Sequence, residues 1–173
     1  MIMSKLGKIL LLVYVFLLIW ILLFKFSVSP SAVISRAFDG QSYRHINLIP
    51  LMESGGRKEV LLNFIVFIPL GLIAQLVGKK NPVIKNAIYI LIFSLFIEVS
   101  QYILAVGATD ITDLLTNTFG GVAGILLYWG LSRLFDTKKL DKILVIVGLT
   151  LLVLAVLIVF YLVFIMGVRI RYF

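Results

Sequence analysis

The chain has 173 residues, of which 62% are hydrophobic and 14% charged, and its mean hydropathy is +1.15. No soluble domain hides that much apolar surface in its own core, so composition points to an integral membrane protein built as one helical bundle. Cysteine is absent, which excludes disulfides, and the net charge of +8 lies mostly beside apolar runs, suggesting topology signals and anionic lipid headgroups ahead of nucleic acid.

Five apolar runs follow in chain order. The first, 9–26, stands behind Lys5 and Lys8 and reads as an uncleaved signal anchor, with Pro30 where a cleavage site would want another residue. The others cover 60–77, 84–106, 114–135 and 143–167. Each approaches the ~20 residues that a helix needs to cross the hydrocarbon. Short alternating strands are not visible, so helices rather than a closed barrel are the spanning elements. The expected fold is an all-α membrane bundle of about five transmembrane helices. It divides into a signal-anchor helix over 1–28, a core over 29–135, and a cytoplasmic loop with a last transmembrane helix over 136–173.

Short loops set the orientation. One carries Lys79, Lys80 and Lys85, another Arg133, Lys138, Lys139 and Lys142, and both are expected in the cytoplasm. The loop between them, "GATDIT", has no basic residue and is expected outside, which puts the N-terminus inside. Arg36, Arg44, Arg57 and Lys58 in the long first loop, and Arg169 and Arg171 near the C-terminus, run against this charge pattern. Long segments follow the rule less strictly.

This topology gathers polar residues at the outer end of the bundle. Glu98 falls about 12 Å below the outer end of helix three at 1.5 Å per residue. Gln101 shares its face, Asp110 lies in the outer loop, Asp113 opens helix four, and Asn117 follows one turn inward. Helix two starts on the same side with Glu59 and Asn63. The inner halves are expected to hold almost nothing comparable, apart from Gln75. The segments "EVLLNF" and "DLLTNT" both place a carboxylate four residues before an Asn, a faint internal repeat.

An ionisable residue inside a membrane span is expensive, which singles out Glu98, whereas a helix-facing Gln or Asn is often interhelical glue. One of Asp110 and Asp113 is expected to cap helix four. Arg57 and Lys58 either snorkel to headgroups or receive an anionic ligand. His45 is the single histidine and builds no zinc site. "GGVAG" at 120–124 reads as tight helix packing and not as a phosphate loop. No nucleophile constellation stands out, and acids near helix ends leave a Mg²⁺ site open.

Four segments together resemble the VanZ-like family: "HINLIPL" in the first loop, "LLNFIVFIPLGLIAQL" in helix two, "SLFIEVSQYIL" in helix three and "DITDLLTNTFGGVAGILLYW" in helix four. They cover roughly residues 45 to 135. The family's recurring polar positions correspond to Asn47, Pro50, Asn63, Pro69, Glu98, Gln101, Asp110, Asp113 and Asn117, while Leu51 stands where the family often has Phe. The resemblance implies cell-envelope biology at the outer face of a bacterial membrane, because the founding member is associated with resistance to the lipoglycopeptide teicoplanin. It implies no particular reaction.

The leading expectation is thus an outer-leaflet polar pocket that binds an amphiphilic envelope ligand or the drug. Glu98, Asp113 and Asn117 would line it, Asn47, Asn63 and Gln101 would add binding groups, and Arg44, Arg57 and Lys58 would steer anionic headgroups. The alternative is a membrane transferase or hydrolase acting on a lipid-linked envelope precursor, with Glu98, Asp110 and Asp113 as catalytic or ion-holding groups. A transporter ranks last. Membrane lipids, and either a lipoglycopeptide or a lipid-linked precursor, are the expected partners, and nucleic acid is not. The sequence names no cofactor or metal and leaves the oligomeric state open.

Overall fold

The structure is a computed structural model that describes residues 2–24, 46–49, 56–104 and 109–161. Its helices are α1 (Ile2–Phe24), α2 (Arg57–Val77), α3 (Val83–Leu104), α4 (Ile111–Leu134) and α5 (Thr137–Phe160). All five are long and apolar enough to cross a membrane. Two short strands, β1 (Ile46–Asn47) and β2 (Thr109–Asp110), pair in parallel between them. Arg36, Arg44, His45, Pro50, Leu51, Arg169 and Arg171 lie outside the described residues, as does the side chain of Arg57.

Each helix occupies one of the expected apolar runs, with starts shifted by polar chemistry. α1 begins at Ile2, ahead of its apolar run, and carries Lys5 and Lys8 exposed on the first turns. α2 starts at Arg57 behind Gly56, whose φ of +99° suits glycine alone at little cost. α4 starts at Ile111 because the Asp110 carboxylate accepts from the Thr112 N–H at 2.8 Å. α5 starts six residues before its apolar run because Asp136 Oδ1 accepts from the Lys139 N–H at 3.0 Å. Both caps satisfy donors that a helix start otherwise leaves unpaired.

The tightest packing joins α2 and α4, which run parallel. A Cβ added at Gly120 would lie 2.2 Å from the Phe64 carbonyl oxygen, and one at Gly124 would lie 2.0 Å from the Ile68 oxygen. From the other side, a Cβ at Gly71 would lie 1.8 Å from the Gly121 oxygen. Inside a bilayer the hydrophobic effect does not push helices together, so close backbone approach supplies the attraction through dispersion. The "GGVAG" segment therefore does what its spacing suggested. The two segments of the faint repeat open these same two neighbouring helices.

α3 runs back against α4, with Ile90 beside Gly121 and the Ser94 hydroxyl reaching the Leu114 carbonyl at 3.5 Å. Leu18, Phe67, Leu70, Ile90 and Ile125 form the central core. The Tyr14 hydroxyl ties α1 to α2 by donating to the Val66 carbonyl at 2.8 Å. A second cluster of Leu76, Tyr128, Leu140 and Val145 seats the first half of α5. Outward faces present residues such as Phe16, Ile92, Phe96, Leu127 and Leu154, the surface that hydrocarbon solvates.

The end of the bundle near Lys79 is more polar than the sequence suggested, and this corrects the expectation of an almost apolar inner half. Asn86 is 2% exposed and donates to Gln75 Oε1 at 2.5 Å and to the Gly78 carbonyl at 3.1 Å. Its own oxygen accepts from Asn81 Nδ2 at 3.0 Å. Beside this group Lys79 pairs with Asp141, whose other oxygen accepts from the Tyr128 hydroxyl at 2.7 Å. Arg133 stacks over Trp129 at 4.7 Å and Lys85 approaches the Tyr89 ring at 6.0 Å. Paired aromatic and basic residues of this kind anchor a helix end at a membrane–water interface.

Candidate functional site

The opposite end is organised around Glu98. The last three turns of α3 bury Ser94, Ile97, Glu98 and Gln101 on one face, as i, i+3 and i+4 spacing requires. Past α3 the chain returns through β2, and there Thr109 and Asp110 close on the glutamate. The Asp110 N–H donates to Glu98 Oε2 at 3.1 Å, and the Thr109 hydroxyl donates to the Glu98 carbonyl oxygen at 3.2 Å. Glu98 is 3% exposed and Asp110 5%. Two carboxylates thus stand at the start of α4, where the helix dipole is positive and favours negative charge.

Asn47 reaches this place from far along the chain. In the β1–β2 pair it is the partner of Asp110, and Ile46 is the partner of Thr109. Its Oδ1 accepts from the Ile49 N–H at 3.0 Å, holding the side chain in a local turn. Gln101, one turn beyond Glu98, donates from Nε2 to the Leu22 carbonyl at 3.2 Å and so ties in the end of α1. Asn117 is almost fully buried on α4, and Asn63 is buried on α2. They lie one residue or one turn from the Phe64–Gly120 contact.

Of the sequence-derived residues, the structure joins Asn47, Glu98 and Asp110 directly, with Gln101 next to them on the same helix face. Asn63 and Asn117 sit deeper on the neighbouring helices, and Asp113 lies half-buried in the first turn of α4. Arg44 is outside the described residues, and Arg57 enters only as the first residue of α2. Sequence reasoning missed Thr109 and the Leu22 carbonyl. The hydroxyl of the first bonds to a backbone carbonyl of α3, which no local motif announces. The second is a backbone atom and leaves no trace in composition.

Three buried side-chain atoms among the described residues have no hydrogen-bond partner: Asn47 Nδ2, Gln101 Oε1 and Asn117 Oδ1. Each unsatisfied group costs about 1–3 kcal/mol. All three are on the Glu98 side of the bundle, whereas the buried amides at the Lys79 end bond to one another. The described residues contain no group of three His, Cys, Asp or Glu side chains able to hold a metal ion. One Asp110 oxygen is already committed to its cap.

That cap allows a direct check of the local architecture. Asp110→Ala is expected to cost about 1 kcal/mol, the usual value of an N-cap side chain. Asp110→Asn keeps an accepting oxygen and should stay within a few tenths of wild type, as read by thermal unfolding in detergent micelles.

A family profile described as VanZ/LLP1 matches residues 11–136, from inside α1 to the residue that caps α5. The chain is 39% identical to Protein VanZ of Enterococcus faecium over 152 residues, covering 86% of this chain and 91% of that protein. No solved structure matches it. With matched residues that span the four helices building the Glu98 end, this multi-pass membrane protein belongs to the VanZ/LLP1 family.

Proposed function

We propose that the chain is a cell-envelope protein that lowers susceptibility to lipoglycopeptides such as teicoplanin. It does so through a polar site at the outer-leaflet end of the bundle, which holds an amphiphilic envelope ligand or the drug. The observation that carries this reading is the asymmetry of satisfaction between the two ends. Buried polar groups that serve only to lock helices together should bond to one another, as Gln75, Asn81 and Asn86 do. Those around Glu98 leave hydrogen-bonding capacity unused at three buried atoms, the character of a surface shaped for something else.

Two further observations support the reading. Lys79, Lys80, Lys85, Lys138, Lys139 and Lys142 cluster at the far end, which by the positive-inside rule turns the Glu98 end outward. The second is family membership. The test is a teicoplanin susceptibility assay in a sensitive host, comparing wild type with a Glu98→Gln, Asp113→Asn double variant at matched membrane abundance. Wild type should raise the inhibitory concentration, and the variant should return it to that of the host alone. Full protection by the double variant would refute the site.

A further inference from the structure

The unused atoms around Glu98 have fixed hydrogen-bonding characters. The amide of Gln101 is oriented by its Nε2 bond to the Leu22 carbonyl, so the buried atom left over is an acceptor. The amide of Asn47 is oriented by the bond from the Ile49 N–H to its Oδ1, so the buried atom left over is a donor. Turning either amide over would set like groups against each other. The two residues belong to one chain of contacts. Asn47 is the strand partner of Asp110, Asp110 is bonded to Glu98, and Gln101 stands one turn beyond Glu98 on the same face.

A ligand head that satisfies both must accept at one protein atom and donate at the other. A phosphate monoester offers several accepting oxygens and at most one proton, so it suits Asn47 better than Gln101, and it meets two buried carboxyl groups besides. An ammonium group donates only, so it satisfies Gln101 and leaves Asn47 unpaired. A hydroxyl does both, and neighbouring hydroxyls on a sugar ring do so at several points. Resting on the proposed ligand site, we infer that its buried part takes the uncharged, hydroxyl-rich head of a glycolipid-like amphiphile in preference to a phosphate head.

The experiment measures binding of three lipids to the full chain in nanodiscs by native mass spectrometry. They are a diglucosyl diacylglycerol, phosphatidic acid of the same acyl chains, and an N-palmitoyl glycinamide with an uncharged amide head. The glycolipid should bind saturably and at least about tenfold tighter than phosphatidic acid, a difference of roughly 1.4 kcal/mol. Asn47→Asp keeps the oxygen that receives the Ile49 N–H and removes the donor. Gln101→Met keeps the side-chain length and removes the acceptor together with the Nε2 bond to Leu22, and Gln101→Lys removes the acceptor while keeping a donor for that carbonyl. Each should weaken glycolipid binding about threefold to tenfold, the net value of one hydrogen bond, and melting without lipid checks that each variant folds.

Phosphatidic acid binding as tightly as the glycolipid would overturn the inference. So would tighter binding of the amide lipid, or unchanged glycolipid binding in all of these variants. If the preferred lipid in any of these cases is lost on Glu98→Gln, the ligand site itself survives. Saturable binding of none of the three by wild type would bring down the site together with the inference.

Discussion

Gly124→Ala is expected to separate α2 from α4 and to be among the most damaging single-methyl changes in the chain. The added Cβ would sit 2.0 Å from the Ile68 carbonyl oxygen and 2.8 Å from the Leu72 nitrogen. Both are backbone atoms of a continuous helix, so neither can swing aside as a side chain would. Overpacking a well-packed core costs about 1–3 kcal/mol, and a clash with backbone belongs at the upper end of that range. The matched control is Gly130→Ala on the same helix, where a Cβ meets nothing within 4 Å. Relieved of glycine's backbone entropy, that variant should be neutral or stabilised by up to ~1 kcal/mol. Thermal unfolding of both proteins in one detergent decides the matter. A Gly124→Ala protein that melts with wild type would mean that the two backbones do not approach as described.

The second large effect separates what Glu98 does for the fold from what it does for the site. Glu98→Leu and Glu98→Gln both remove the carboxylate, so any cost of charge inside the membrane drops out of their comparison. Glutamine keeps an oxygen to receive the Asp110 N–H, and leucine does not. The donor it would abandon lies beside a residue that is 5% exposed. The leucine variant should therefore be less stable than the glutamine variant by about 1–3 kcal/mol, the cost of an unsatisfied buried group. Neither should protect a host against teicoplanin. Equal melting of the two would place the Asp110 N–H in contact with another acceptor and remove Glu98 from the architecture of the loop.

Much of the fold was legible because the bilayer imposes a length and a composition on each helix. The runs at 60–77, 84–106 and 114–135 lie within a few residues of α2, α3 and α4. The early starts of α4 and α5 depend on Asp110 and Asp136, whose caps belong to polar stretches that a hydropathy reading passes over. At the site, Glu98 stood out as an ionisable group inside an apolar run, Gln101 by its spacing on the same face, and Asp110 by its place just ahead of α4. The pairing of Ile46–Asn47 with Thr109–Asp110 did not, since a two-residue strand carries no pattern. At the Lys79 end, Asn81 and Asn86 looked like ordinary loop and helix-start residues. Their meaning lies in a relay of bonds, since Asn81 donates to Asn86 and Asn86 in turn reaches the Gln75 oxygen on another helix.

The β1–β2 bridge also sets an order of events during synthesis. Ile46 and Asn47 leave the ribosome long before Thr109 and Asp110, and everything between them must be threaded into the membrane first. Until residue 110 exists, Glu98 has no loop N–H to receive, and Asn47 has no strand partner. A nascent chain halted after α3 would thus carry a carboxyl group that no loop N–H covers inside a membrane segment. The Glu98 end is consequently completed late, by a contact of high sequence separation that local helix formation cannot supply, and an insertion defect in α4 should erase the site while leaving α1 to α3 in the bilayer.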